Sequence, residues 1–204
     1  VSGMSAVPSS WASTTLAALG GTGGGKTPSK GESRYWSDGT IPWVSPKDMK
    51  VFQIDDSEDH ITPAGLDAGM KLLPPDSVLF VARSGILAHT LPVAVTQKSV
   101  TINQDIKAIL PRADGHNSRF LAYGLRAFQS RILNECSKAG TTVASIELPA
   151  LEAMPFPFAP LPEQQRIANK LDKVLARVDA CRERVARVEP LVKRFRQAVL
   201  AAAI

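Results

Sequence analysis

Near the end of this sequence Ile167, Leu171, Val174, Val178, Cys181, Val185, Val188, Val192, Phe195 and Val199 recur at alternating spacings of four and three. An apolar residue every 3.5 positions holds one narrow stripe on one side of a long helix, and only a second helix laid along that stripe can bury it. The intervening positions are charged, with Arg166, Lys170, Asp172, Lys173, Arg177, Asp179, Arg182, Glu183, Arg184 and Arg187 around the outside, as a solvated helix requires. A helix from about residue 163 to 199 would be roughly 50 Å long. The alternative is an ordinary amphipathic helix packed on its own domain; against it, the stripe is too narrow for a core helix and too long for a body of this size. Pro190 lacks an amide donor and crowds the preceding turn, so a kink or a short second helix is expected there. The seam stays in phase across it, which favours the kink.

The remaining residues suit one domain of ordinary size, since the chain has 204 residues of which 44% are hydrophobic. No apolar run approaches the 18 or more residues of a membrane span. Residues 1–3 precede Met4 and are read as a cloning remnant; the start offers neither a basic region nor an apolar export segment, so the expected location is cytoplasmic. Cys136 and Cys181 make no disulfide framework, and His60, His89 and His116 are too scattered for metal-ligand spacing. Neither a metal nor a cofactor is expected. The net charge is +5, and residues 163–204 hold ten Lys/Arg against five Asp/Glu. The whole excess therefore lies in the helix, and DNA contact by the body would depend on local clusters.

Residues 20–30 (GGTGGGKTPSK) must form a loop. Gly20, Gly25, Lys26 and Thr27 satisfy the spacing of a phosphate-binding loop, but such a loop needs a helix opening at its lysine. Pro28 pushes Thr27 out of helical geometry, and residues 29–39 carry no helical pattern. Residues 41–45, with Pro42, read as an edge strand. Residues 57–69 are acidic and polar, and a turn at 72–76 leads into residues 77–82 (SVLFVA), the best candidate for a buried strand. Further strands are expected at 91–96, 100–102 and 106–110, and one more within 140–151. Phe120, Leu121, Leu125, Phe128, Ile132 and Leu133 make the core face of a helix capped by Asn117 or Ser118. Residues 154–162 have a proline at nearly every other position and predict a stiff, extended linker.

Taken in order, residues 8–11, the glycine-rich 20–30, Tyr35-Trp36, Ile41-Pro42-Trp43-Val44, Lys47-Asp48-Met49, residues 81–85, Asn103-Gln104-Asp105 and the closing PLPEQQRIANKLD resemble the specificity subunits of type I restriction–modification systems. The similarity runs from Pro8 to Ile204. It implies a target-recognition domain at residues 1–153, the linker at 154–162, and a conserved spacer helix at 163–204. The fold class implied is an α/β (α+β) recognition domain with a mixed, strand-rich core, followed by a long C-terminal α-helix in an antiparallel coiled coil. The family normally holds two such units in one chain. This chain holds one, so it is either a fragment or a half-size subunit whose seam is buried by another copy about a two-fold axis. The resemblance implies no catalysis in the subunit itself; its partners would be double-stranded DNA, methyltransferase (modification) subunits and a restriction/translocase subunit, with no membrane.

Candidate DNA contacts are Lys26, Thr27, Ser29 and Lys30 in the glycine-rich loop, with Arg34 and Lys47 near in sequence. Arg83, Ser84 and His89 lie between two strands, and Asn103 and Gln104 at a strand end. Each has a plainer alternative: a surface loop, an arginine paired with an acidic neighbour, an Asn-Gln-Asp turn bonding its own backbone. Trp36 and Trp43 read as core or loop anchors. No catalytic set emerges. Two other functions stay open at this level, a scaffold protein whose helix and body bind protein, and a nucleotide-dependent enzyme using Gly20 to Thr27.

Overall fold

The computed structural model describes residues 8–112, 115–138 and 143–202. The chain divides into two units, residues 1–164 and 165–204. In the first, strands β1 (Ala12–Thr14), β2 (Gly23–Gly24), β3 (Ile41–Val44), β4 (Gln53–Ile54) and β5 (Asp59–Ile61) lead to helix α1 (Pro63–Asp67). Then come β6 (Val78–Val81), β7 (Val93–Thr96), β8 (Thr101–Ile102), β9 (Ile106–Ile109), helices α2 (Ser118–Ala127) and α3 (Gln129–Cys136), the short strands β10 (Ser137–Lys138) and β11 (Ser145–Ile146), α4 (Leu148–Ala153) and β12 (Phe156–Phe158). The last element, α5 (Leu161–Ala202), carries the chain into the second unit.

A five-stranded sheet, in the order β2-β9-β6-β7-β4, forms the centre of the body. Its middle strand is the apolar run read from the sequence, and all four residues of β6 are buried. β6 pairs antiparallel with β9 (Val81 opposite Ile106) and with β7 (Phe80 opposite Val93). Covered on both faces, such a strand has no reason to alternate polar and apolar residues. A second sheet, β5-β3-β8, takes the strands on either side of β3. β3 is therefore central rather than an edge. Pro42 is tolerated because β8 pairs with β3 only from Trp43 onward, so no ladder bond on that side calls for the missing amide. The two strands expected around residues 97–99 do not make a hairpin, since β7 and β8 belong to different sheets.

Asn117 caps α2, its Oδ1 accepting from the Phe120 amide at 2.9 Å. Leu121, Ala122 and Leu125 bury the inner face of that helix. α1 sits in the stretch read only as acidic and polar; Thr62 caps it and Pro63 opens it. The proline-rich stretch is extended as its composition dictates. It is not a free linker, because β12 pairs with β1 (Ala12 opposite Phe158, Thr14 opposite Phe156) and Met154, Phe156 and Ala159 are buried. Trp11 and Phe158 each meet Phe120 edge-on, with 6.0 Å between ring centroids. Gln164 then ties the start of α5 to this body: its Nε2 donates to Ala159 O and its Oε1 accepts the Asn117 amide, both at 2.8 Å.

In the second unit, α5 runs unbroken through Pro190, so no separate short helix forms there. Val174, Val178, Val185, Val188, Val192, Phe195 and Val199 are exposed, Val185 and Phe195 by 71% and 70%. Cys181, within the same row, is exposed and in no disulfide among the described residues. Among the described residues no helix is long and apolar enough to cross a membrane.

Candidate nucleic-acid interface

The strand directions gather several loops at one end of the central sheet. β2 and β6 end there while β9 and β7 begin, as the pairings Gly24 with Lys107, Val81 with Ile106 and Phe80 with Val93 require. β3 and β8, running parallel, finish beside each other, and the Asn103 amide donates to Val44 O at 3.0 Å. Residues 25–30, 45–52, 82–92 and 103–105 thereby share one rim. The β10–β11 hairpin joins them: Ser145 bridges Arg83, Ser84 N donates to Ala144 O, and Ile146 N to Ala82 O. Its turn lies outside the described residues.

The glycine-rich loop is held by specific contacts. Gly25 lies so close to the β8 end that a Cβ there would come 2.0 Å from Ile102 O, so no side chain fits without moving backbone. The Lys26 amide donates to Ile102 O, and the Trp43 and Trp36 indoles donate to Lys26 O (3.1 Å) and Ser29 O (3.0 Å). The two indoles meet edge-on at 5.2 Å, which makes them loop anchors. Upstream, Glu152 accepts from both the amide and the hydroxyl of Thr22. With Gly23 and Gly24 paired to β9 and no helix opening at Lys26, this backbone cannot wrap a nucleotide phosphate in the manner of a phosphate-binding loop.

Of the candidate residues, all but Arg34 lie in these rim loops: Lys26, Thr27, Ser29, Lys30, Lys47, Arg83, Ser84, His89, Asn103 and Gln104. Thr27 Oγ1 donates to Gln104 Oε1. Lys26 and His89 are exposed, while Ser84 caps a short 3-10 turn at Gly85–Ala88. Asn103 is buried, and its side chain closes a turn: Oδ1 accepts from the amides of Asp105 (3.1 Å) and Ile106 (3.2 Å), and Nδ2 donates to Asp105 Oδ2 (3.2 Å). Its side chain is thus taken up by the self-bonded turn. Arg83 pairs with Asp105, Nε to Oδ1 at 3.4 Å, yet its side chain stays 67% exposed.

Arg34, outside these loops, and Lys47, within one of them, are each paired with carboxylates. Arg34 pairs with Glu32 at 3.3 Å and lies over the Tyr35 ring. Lys47 is clamped by Glu58 (2.9 Å) and Asp59 (3.0 Å), whose hydrogen bonds push its ammonium pKa above the ordinary lysine range. A lysine held by two carboxylates makes a poor phosphate ligand. Ser29 contributes its carbonyl to Trp36, and Lys30 is exposed. Lys107 and Lys138 also reach this rim, Lys107 Nζ donating to Gln104 O at 3.2 Å and Lys138 lying 3.9 Å from Glu147. Lys107 escaped the sequence reading because it stands inside a strand; the alternation Ile106 in, Lys107 out, Ala108 in was the available signal.

Beside the α2 cap, His116 is buried and neither ring nitrogen has a hydrogen-bond partner among the described residues. Burial, with help from Arg112, pushes its pKa down. No group of three or more His, Cys, Asp or Glu side chains among the described residues is placed to hold a metal ion.

Comparison with known proteins gives a consistent result. The model of the type I restriction modification DNA specificity domain matches residues 8–189. The chain is 42% identical over 163 residues, 78% of its own length and 39% of the relative's, to the type I restriction enzyme EcoR124I/EcoR124II specificity subunit of Escherichia coli. It is 29% identical over 172 residues, 81% of its length and 38% of the relative's, to the MjaIX specificity subunit of Methanocaldococcus jannaschii. The chain thus spans about two fifths of the length of each of these two relatives. The fold recurs in a chain from a structure concerned with complex assembly and conformational transition of the type I R-M system, with a TM-score of 0.72, 22% identity, and 97% of this chain and 46% of that chain covered. It recurs too in the HsdS subunit of Thermoanaerobacter tengcongensis, with a TM-score of 0.59, 20% identity, and 87% and 40% covered.

Proposed function

Because the chain belongs to the family of type I restriction–modification DNA specificity domains, matched over residues 8–189, we propose that it is a non-catalytic DNA-reading unit. It recognises one half of a split site and positions methyltransferase, and with them restriction, subunits on the duplex. The observation that carries this reading is the rim, where Lys26, Arg83, Lys107 and Lys138 stand among the amide and hydroxyl side chains of Gln104, Thr27 and Ser84. Cations give phosphate contacts that set register, and the polar side chains beside them can read base edges.

A unit that reads half a site needs a second. The exposed row from Val174 to Val199 supports its capture through α5. Another copy, laid antiparallel about a two-fold axis, would bury both rows at once and present two rims to inverted half-sites. Competition binding of cognate against random duplex in about 0.15 M salt tests the DNA role, because each wrong base pair should cost roughly 1–3 kcal/mol. Lys107→Ala should lower the slope of log affinity against log salt by about one phosphate contact without changing the preferred sequence. Equal affinity for cognate and random duplex would reject the reading in favour of a scaffold.

A further inference from the structure

Arg83 is the most firmly built cation of the rim. Its amide and that of Ala82 both donate to Asp105 O, at 3.2 and 2.7 Å, and Ser145 bridges it from the other side. Asp105 is fixed in turn by Asn103, which holds its amide and one carboxylate oxygen. The other oxygen, Oδ1, is buried, accepts no hydrogen bond, and lies 3.4 Å from Arg83 Nε. The terminal guanidinium nitrogens donate to nothing among the described residues, and the side chain is mostly exposed. Nε is therefore the end of the planar fork that faces Asp105, in an ion pair at 3.4 Å, and leaves the two outer nitrogens as available donors among the described residues. The carboxylate offsets part of the guanidinium charge, which weakens but does not abolish its pull on a phosphate, and leaves the directional donors intact. In the major groove two donors in a fixed plane match the O6 and N7 acceptors of guanine, whereas adenine presents a donor at one of those positions.

On the DNA-reading role proposed above, we propose that Arg83 reads a guanine of the half-site and that Asp105, held by Asn103, is its positioning residue. Binding selection from randomised duplex tests this, using the chain assembled with the methyltransferase subunits of its system. The unmodified chain should select a guanine at one position of the half-site. Arg83→Ala should keep the preference at every other position and lose that for guanine by about 10- to 100-fold. Arg83→Lys should not restore it, and Asp105→Asn should give an intermediate loss. A duplex with 7-deazaguanine at that position, lacking N7, should bind the unmodified chain correspondingly more weakly and Arg83→Ala no more weakly than guanine does. An unchanged profile in Arg83→Ala, or a uniform loss at all positions, overturns the assignment and leaves the DNA-reading role standing. Absence of any sequence preference in the unmodified chain overturns both. If Arg83→Ala does not fold, the unmodified chain decides alone: insensitivity to 7-deazaguanine at every guanine of its site overturns the assignment.

Discussion

Replacing Asn103 with alanine separates a structural turn from a base contact. The side chain is 6% exposed and makes three hydrogen bonds, accepting from the amides of Asp105 and Ile106 and donating to the Asp105 carboxylate. Ile106 opens β9 and is wholly buried, so water reaches its amide poorly once the acceptor is gone. A net hydrogen bond is worth about 1 kcal/mol and an unsatisfied buried donor costs about 1–3 kcal/mol, which together give a loss of about 2–4 kcal/mol for Asn103→Ala. With a urea slope of about 2 kcal/mol/M the midpoint should fall by about 1–2 M. Fluorescence of Trp11, Trp36 and Trp43, all in the body, follows the transition. Asn103→Asp keeps the acceptor for both amides but sets a second carboxylate against Asp105, so its deficit should be large at neutral pH and shrink as pH falls toward the carboxylate range near about 4. A stability within about 0.5 kcal/mol of the parent for Asn103→Ala, accompanied by lost sequence preference, would refute the turn role.

Three further outcomes follow from the geometry. In a two-fold pair every seam position counts twice, and burying a valine is worth about 1.5–3 kcal/mol, so Val185→Glu should weaken self-association by about 100-fold or more in sedimentation equilibrium; an unchanged mass distribution would contradict the pairing. His116 has a folded-state pKa below its ordinary value. The unfolded chain therefore takes up the proton first, and the body should lose stability as pH falls below about 6.5; His116→Leu should flatten that stretch of the stability–pH curve, and an unaltered curve would show that the ring is not the cause. Gly25→Ala forces a Cβ onto Ile102 O and should cost about 1–3 kcal/mol in urea denaturation, whereas Gly31→Ala, with open space around it, should be nearly neutral.

The parts legible in the sequence were those in which one local signal governs the outcome. Residues 77–82 read as the best buried strand and Val78–Val81 form it; Asn117, one of the two cap candidates, caps α2; and the 3.5-residue repeat marked the long helix α5. α1 carries a start signal in Thr62-Pro63, but the acidic residues before it mask a five-residue helix. The central place of β3 is hidden by Pro42, whose missing amide matters only where the neighbour it would face pairs at that residue. Site residues were harder to assign. Lys47 looked available until the second sheet brought Asp59 beside Trp43, and with it Glu58 to the lysine. Lys107 looked like a strand residue until β2 ran along it. Both are products of strand pairing between distant segments, which no local pattern carries. The gathering of four loops at one sheet end has the same origin.

The most direct test of a half-site reader that needs a second unit is a map of methylated positions in DNA from cells carrying the intact system. Where this chain is the sole source of specificity, the methylated sequence should consist of two identical half-sites, inverted and separated by a fixed unspecified spacer. Methylation at a single uninterrupted sequence, or a map that is unchanged when the chain is deleted, would contradict it.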